Sequence, residues 1–168
     1  MNWFAFRIFI RKDEVMLHFA YGSNMHRAVM RKHAPTAEAA GVATLENCRF
    51  VITADSYASV EPSLGKTVYG LLWRLTPRDR VTLDAWENVA SGLYRAETLP
   101  VHQSGQQIPA LVYIARDCPA GQARPGYMEA VIEAARALEL PAGYIASLEE
   151  WLPAGPVSAG HPKFGDFW

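Results

Sequence analysis

The chain has 168 residues, long enough for one domain with a real core and too short for two comfortable ones. Half of it is hydrophobic, 20% is charged and the net charge is −1, so it lacks the clustered basic footprint of a nucleic-acid binder. A small-molecule partner is the default, and the short basic runs Arg7 to Lys12 and Arg27 to Lys32 read as solvated edges.

The apolar, aromatic segment Met1 to Ile10 is too short to span a membrane and has no small-residue cleavage site. It reads as an edge strand, a cover for the core or a contact for a partner chain. Met16 would make a natural start, so residues 1–15 are expected to be an extension peripheral to function. Strand β-formers then run over Val15 to Ala20. Behind them, Tyr21-Gly22-Ser23-Asn24 breaks the strand at a glycine, and Asn24 is placed to cap a helix that reaches Ala34 before Pro35 stops it. Such a loop either is a plain structural turn or offers backbone N–H groups to an anion. It has neither the spaced glycines nor the Lys-Ser/Thr pair of a phosphate loop.

Val42 to Thr53 reads as one or two strands, and Asp55 to Lys66, with Pro62 and Gly65, as a loop. Thr67 to Leu75 is apolar on both faces and is expected to be a buried strand. Thr76-Pro77-Arg78-Asp79 opens a helix to about Asn88, with Thr76 as cap and Asp79 in the box position. Gly92 to His102 and Ile108 to Ala115 form a hairpin around Ser104-Gly105. Helices follow over Gly126 to Leu138 and from Pro141 to Leu152, and the Gly/Pro-rich tail, residues 153–168, is expected to be irregular. Interleaved strands and helices without regular alternation indicate an α+β fold with a mostly antiparallel or mixed sheet.

Cys48 and Cys118 lack metal-type spacing and read as reduced thiols of a cytoplasmic protein, Cys118 as a loop residue. Neither they nor His18, His26, His33, His102 and His161 form a ligand set, so neither metal nor cofactor is expected. His18 reads as packed, and His26 and His33 as exposed.

The unusual carboxylate is Glu87. It lies one turn after Leu83, on the apolar side that Trp86 also marks, and at the helix end where the macrodipole disfavours negative charge. Partial burial would raise its pKa toward that of a general base. Alternatively it is a solvated last-turn residue at the margin of the stripe. Asp84 and Glu97 read as surface charges. Tyr21, Tyr94, Tyr113 and Tyr127 could line a cavity, although core packing accounts for each one taken singly.

Together these residues resemble the γ-glutamylcyclotransferase family. The matching pieces occur in order: Phe19-Ala20-Tyr21-Gly22-Ser23-Asn24, then Val68-Tyr69-Gly70, Leu83-Asp84 leading to Glu87, Ser91-Gly92-Leu93-Tyr94, Tyr113, and Pro125 with Tyr127. They cover residues 16–152, the expected domain. The resemblance implies a small mixed, mostly antiparallel β-barrel flanked by helices. It implies that Glu87 is the catalytic acid/base, that Tyr21, Gly22, Ser23 and Asn24 hold a γ-glutamyl group, and that Tyr94, Tyr113 and Tyr127 shape the pocket.

The implied activity is ring closure of a γ-glutamyl amino acid or amine to 5-oxoproline by a monomer or homodimer, with glutathione an open substrate. A non-catalytic γ-glutamyl-binding module and an amide hydrolase on the same scaffold are the alternatives. Asn88 departs from the family's glycine after the glutamate, Met25 from its leucine and Tyr69 from its tryptophan, while bulky Trp86 narrows the leaving-group side.

Overall fold

The computed structural model describes residues 15–116 and 119–153. Met1 to Ile10, Cys118 and all but the first residue of the tail lie outside these. The elements are β1 (Met16–Ala20), α1 (Arg27–His33), β2 (Glu38–Ile52), β3 (Ala58–Leu75), α2 (Pro77–Trp86), β4 (Tyr94–Gln103), β5 (Gln106–Ala115), α3 (Tyr127–Ala137) and α4 (Ala142–Glu149).

The strands close a mixed barrel in the order β1-β3-β2-β4-β5. All pairings are antiparallel except the closing one, where β1 meets β5 in parallel with His18 opposite Leu111. Alternating apolar residues fill the interior, with Phe19, Ile52, Leu72 and Val101 fully buried, while Leu83 of α2 and Met128 of α3 seal it from outside. Each such side chain contributes roughly 1.5–3 kcal/mol by leaving water.

The hairpin turns on Ser104 and Gly105, both at positive φ, as expected for a two-residue connection. The capping box at Thr76 and Asp79 is also formed. Asp79 does more than cap: its carboxylate accepts from the Thr36 hydroxyl at 2.6 Å, tying the α1–β2 connection to α2.

Two expectations need correcting. Residues 55–66 are not a loop, because β3 already begins at Ala58. Ala58, Ser59 and Val60 are buried and pair with Ile52, Val51 and Phe50, so tertiary burial overrides the local signals. Pro62 and Gly65 instead punctuate a bulge. Pairing jumps from Glu46–Thr67 to Cys48–Pro62, setting residues 63–66 against Asn47, whose side-chain oxygen accepts from the Gly65 amide at 3.0 Å.

Secondly, Asn24 does not cap α1. It sits in a 3-10 turn, Ser23–Met25, and the helix is capped by His26, whose Nδ1 accepts from the Ala28 amide at 3.2 Å. The Asn24 side chain is engaged elsewhere, at the end of α2.

Candidate active site

The loop after β1 is held by contacts that its own sequence does not reveal. Gly70 on β3 lies so close to β1 that a Cβ there would stand 2.3 Å from the Ala20 carbonyl oxygen and 2.8 Å from the Phe19 ring. Only hydrogen fits, and β3 therefore abuts the end of β1. Three residues further along β3, the Trp73 indole N–H donates to the Asn24 carbonyl at 3.1 Å. The turn itself closes through Met25 N–H to Gly22 C=O and His26 N–H to Ser23 C=O. Gly22 has an ordinary negative φ, so close approach rather than backbone freedom favours glycine. A Cβ would lie 3.0 Å from the Tyr127 hydroxyl and 3.1 Å from the Ala58 Cβ.

Tyrosines frame the cavity beyond this loop. The Tyr94 hydroxyl donates to the Ala58 carbonyl at 2.6 Å, and the Tyr127 hydroxyl accepts from the Ala58 amide at 3.1 Å, so the pair grips residue 58 through both of its backbone polar groups. Tyr21 donates to the Tyr113 carbonyl. Tyr113 in turn donates to Asp84 Oδ1 at 2.7 Å, an oxygen that also accepts from Arg80 Nε at 2.7 Å. Asp84 is therefore not a surface charge but the group that orients Tyr113. Its one-turn spacing from Arg80 and its place on the helix face of Glu87 were the available signals.

Glu87 caps α2, and Asn88, at φ 51, ends the helix in the left-handed conformation. The Glu87 carboxylate turns toward the loop and accepts from Asn24 Nδ2 at 2.8 Å. Burial pushes this carboxyl from 4.5 up to about 7, while the Asn24 hydrogen bond pulls the other way. Burial likewise raises the Tyr21, Tyr94 and Tyr113 hydroxyls, and it raises Tyr127 to about 12, so all stay protonated at neutral pH. His18 is pressed down to about 4 by burial. Its Nδ1 lies 3.1 Å from the Leu111 carbonyl, which can only accept, so the neutral ring carries its proton there.

Tyr21, Gly22, Ser23, Asn24, Glu87, Tyr94, Tyr113 and Tyr127 all line one pocket of about 370 Å³. His18, Tyr57, Trp86 and Leu93 join them without having been singled out as pocket residues, except for Trp86. His33 is not exposed as expected: it stacks on Trp86 at 3.7 Å between ring centres. Among the described residues no group of His, Cys, Asp and Glu could hold a metal ion, and no helix is long and apolar enough to cross a membrane.

A closed mixed barrel with helices packed around it, and a pocket between the end of β1 and the end of α2, defines a γ-glutamylcyclotransferase-like fold. Comparison with known proteins agrees. The AIG2-like family model matches residues 67–148, a span that includes Glu87 but not the Tyr21–Asn24 loop. The γ-glutamylcyclotransferase of Homo sapiens is 26% identical over 148 residues, covering 82% of this chain and 79% of that protein. The Mus musculus γ-glutamylcyclotransferase is also 26% identical, over 152 residues, covering 83% of this chain and 80% of its own length. A solved γ-glutamyl cyclotransferase superposes with a TM-score of 0.80 at 24% identity, covering 89% of this chain and 95% of its own. The resemblance to the γ-glutamylcyclotransferase family therefore holds in both sequence and fold.

Proposed function

We propose that the protein converts γ-glutamyl compounds to 5-oxoproline and a free amine by intramolecular ring closure. The observation that carries this reading is the Glu87 carboxylate, hydrogen-bonded at 2.8 Å to Asn24 of the β1 loop in the lining of a pocket of about 370 Å³. The α-ammonium of a γ-glutamyl group must lose a proton before its nitrogen can attack the γ-carbonyl. A carboxyl titrating near 7 is partly ionised at neutral pH and takes that proton. The new C–N bond closes the five-membered ring, and the carbonyl oxygen becomes an oxyanion. Glu87, now protonated, delivers its proton to the leaving nitrogen as the old C–N bond breaks. The re-ionised carboxylate then takes the second proton from the ring nitrogen and passes it to the released amine, which departs as an ammonium. One amide replaces another, no water is consumed, and Glu87 is restored.

The remaining residues bind and exclude. Amides of the Gly22–Asn24 loop are donors for the substrate carboxylate or the developing oxyanion. Neutral tyrosine hydroxyls surround the charge without competing for protons. Since the nucleophile belongs to the substrate, the effective concentration that a bimolecular attack would lack is already present.

Purified protein incubated with γ-glutamyl dipeptides and γ-glutamyl amines is expected to release 5-oxoproline. Glu87→Gln, folded by circular dichroism, is expected to be at least about a hundredfold slower. Free glutamate in place of 5-oxoproline would identify an amide hydrolase, and thermal stabilisation without any product would identify a binding module; either result overturns the proposal.

A further inference from the structure

Hydrogen-bond polarity sorts the walls of the pocket. The loop after β1 presents backbone amides, which donate. Three of the tyrosines on the same lining have already given their hydroxyl protons to the protein: Tyr21 to the Tyr113 carbonyl, Tyr94 to the Ala58 carbonyl and Tyr113 to Asp84 Oδ1. A hydroxyl whose proton is committed offers a ligand only its oxygen lone pairs.

Tyr113 differs from the other two in the strength of that commitment. Tyr21 and Tyr94 donate to neutral carbonyls, whereas Tyr113 donates at 2.7 Å to a carboxylate, the stronger, charge-assisted bond. The same Asp84 oxygen accepts from Arg80 Nε at 2.7 Å, so the carboxylate is fixed by an ion pair to the preceding turn of α2. It can only accept, and the Tyr113 proton cannot turn into the cavity without abandoning it. Asp84 itself is not on the lining and acts from behind the tyrosine. Donation to it also enriches the phenol oxygen, because bonds in a chain polarise one another. Glu87 shares this neighbourhood: burial, then Asp84, raise the Tyr113 hydroxyl, and the Glu87 charge adds to the same rise. Glu87 and the Tyr113 oxygen are thus two acceptors on one lining, opposite in polarity to the loop amides.

Resting on the ring-closing reading, we propose that Tyr113, its proton held away by Asp84, is the second acceptor for the substrate's α-ammonium. An ammonium has three N–H donors, and Glu87 removes one of the protons. Tyr113 keeps a hydrogen bond to the nitrogen before and after that transfer, gaining and losing no proton. The nitrogen therefore stays in place as its lone pair turns to the γ-carbonyl. Tyr113 touches the substrate, and Asp84 is a positioning residue that sets the polarity of the hydroxyl.

The test uses two ligands that cannot cyclise: methionine sulfone, in which a sulfonyl group replaces the γ-carbonyl, and 4-(methylsulfonyl)butanoate, the same molecule without its amino group. Calorimetry gives their dissociation constants for the wild type, Tyr113→Phe and Asp84→Asn, each shown to be folded by circular dichroism. The wild type is expected to favour the ligand that carries the amine. In Tyr113→Phe that preference should contract about tenfold, the scale of one hydrogen bond to a charged group, with the des-amino ligand nearly unaffected. In Asp84→Asn, Arg80 claims the amide oxygen and the NH2 group is left to Tyr113, whose proton is then free to face the cavity. The preference should contract there as well. A residue that only shaped the pocket would weaken both ligands alike; an unchanged preference in either variant overturns the proposal, as does a wild type that binds the amino-bearing ligand no better than the other. Those results leave the ring-closing reading intact as long as the wild type forms 5-oxoproline from γ-glutamyl dipeptides. Absence of 5-oxoproline overturns that reading and this assignment with it.

Discussion

Replacing Glu87 by Gln tests the state of the carboxyl through stability, independently of any substrate. The amide side chain of that variant keeps an oxygen to accept the Asn24 N–H but has no proton to exchange. In the wild type, burial moves the carboxyl from 4.5 to about 7. Between those values the folded protein retains a proton that the unfolded chain has lost, so this group's contribution to stability falls as pH rises through the window. At 1.36 kcal/mol per pH unit the full displacement is about 3 kcal/mol; water at the pocket mouth screens part of it, leaving about 2–3 kcal/mol.

His18 acts with the opposite sign. Its pKa falls from 6.5 to about 4, so its contribution is lost as pH falls through that range and recovered as pH rises. From pH 4.5 to 6.5 the two groups offset each other, and the wild type should show a nearly level profile from this pair. Glu87→Gln removes one side, and its stability should climb across the same range. Urea titrations followed by tryptophan fluorescence, at half-unit steps from pH 4 to 8, measure this directly. The variant should match the wild type near pH 4 and exceed it by about 2–3 kcal/mol above pH 7. Parallel profiles would mean that Glu87 titrates like a solvated carboxylate, and the general-base argument would fail with it.

Removing the Asn24 hydrogen bond takes away the one interaction that favours the ionised form of Glu87. In Asn24→Ala the acid limb of the pH–rate profile should move upward by about one pH unit, the equivalent of one such bond, and an unchanged limb would refute the pairing. Gly70→Ala should destabilise the barrel by about 1–3 kcal/mol or more, read as a lower melting temperature, because the added carbon collides with the Ala20 carbonyl and the Phe19 ring. A melting temperature equal to that of the wild type would show that β1 and β3 are not in such close contact.

The elements that were legible carry their signals locally. Thr76 and Asp79 name a helix start within one turn, and Ser104-Gly105 names a hairpin. Glu87 was legible as an oddity because Leu83 fixes the helix face, whereas the role proposed for it came from the resemblance. What failed depended on distant partners. Asn24 has the local chemistry of a cap, yet its side chain reaches a residue 63 positions away. Asp84 looks solvated until β5 brings Tyr113 to it, and His33 until α2 brings Trp86. Pro62 and Gly65 marked a real irregularity, but whether it ends a strand or bulges from one is decided by β2, which pairs on both sides of it.

The bond from Trp73 to Asn24 has a mechanical consequence. Trp73 lies near the end of β3, which passes through Leu75 and Thr76 straight into α2 and Glu87. The same uninterrupted length of chain thus grips the loop and carries the acid, like the two jaws of one clamp cut from a single bar. Tyr127, on α3, belongs to a separate piece. Its hydroxyl accepts from the amide of Ala58, the first residue of β3, so that helix is pinned to the other end of the same strand. The strand thereby serves as the common reference for the loop, the carboxylate and the tyrosine.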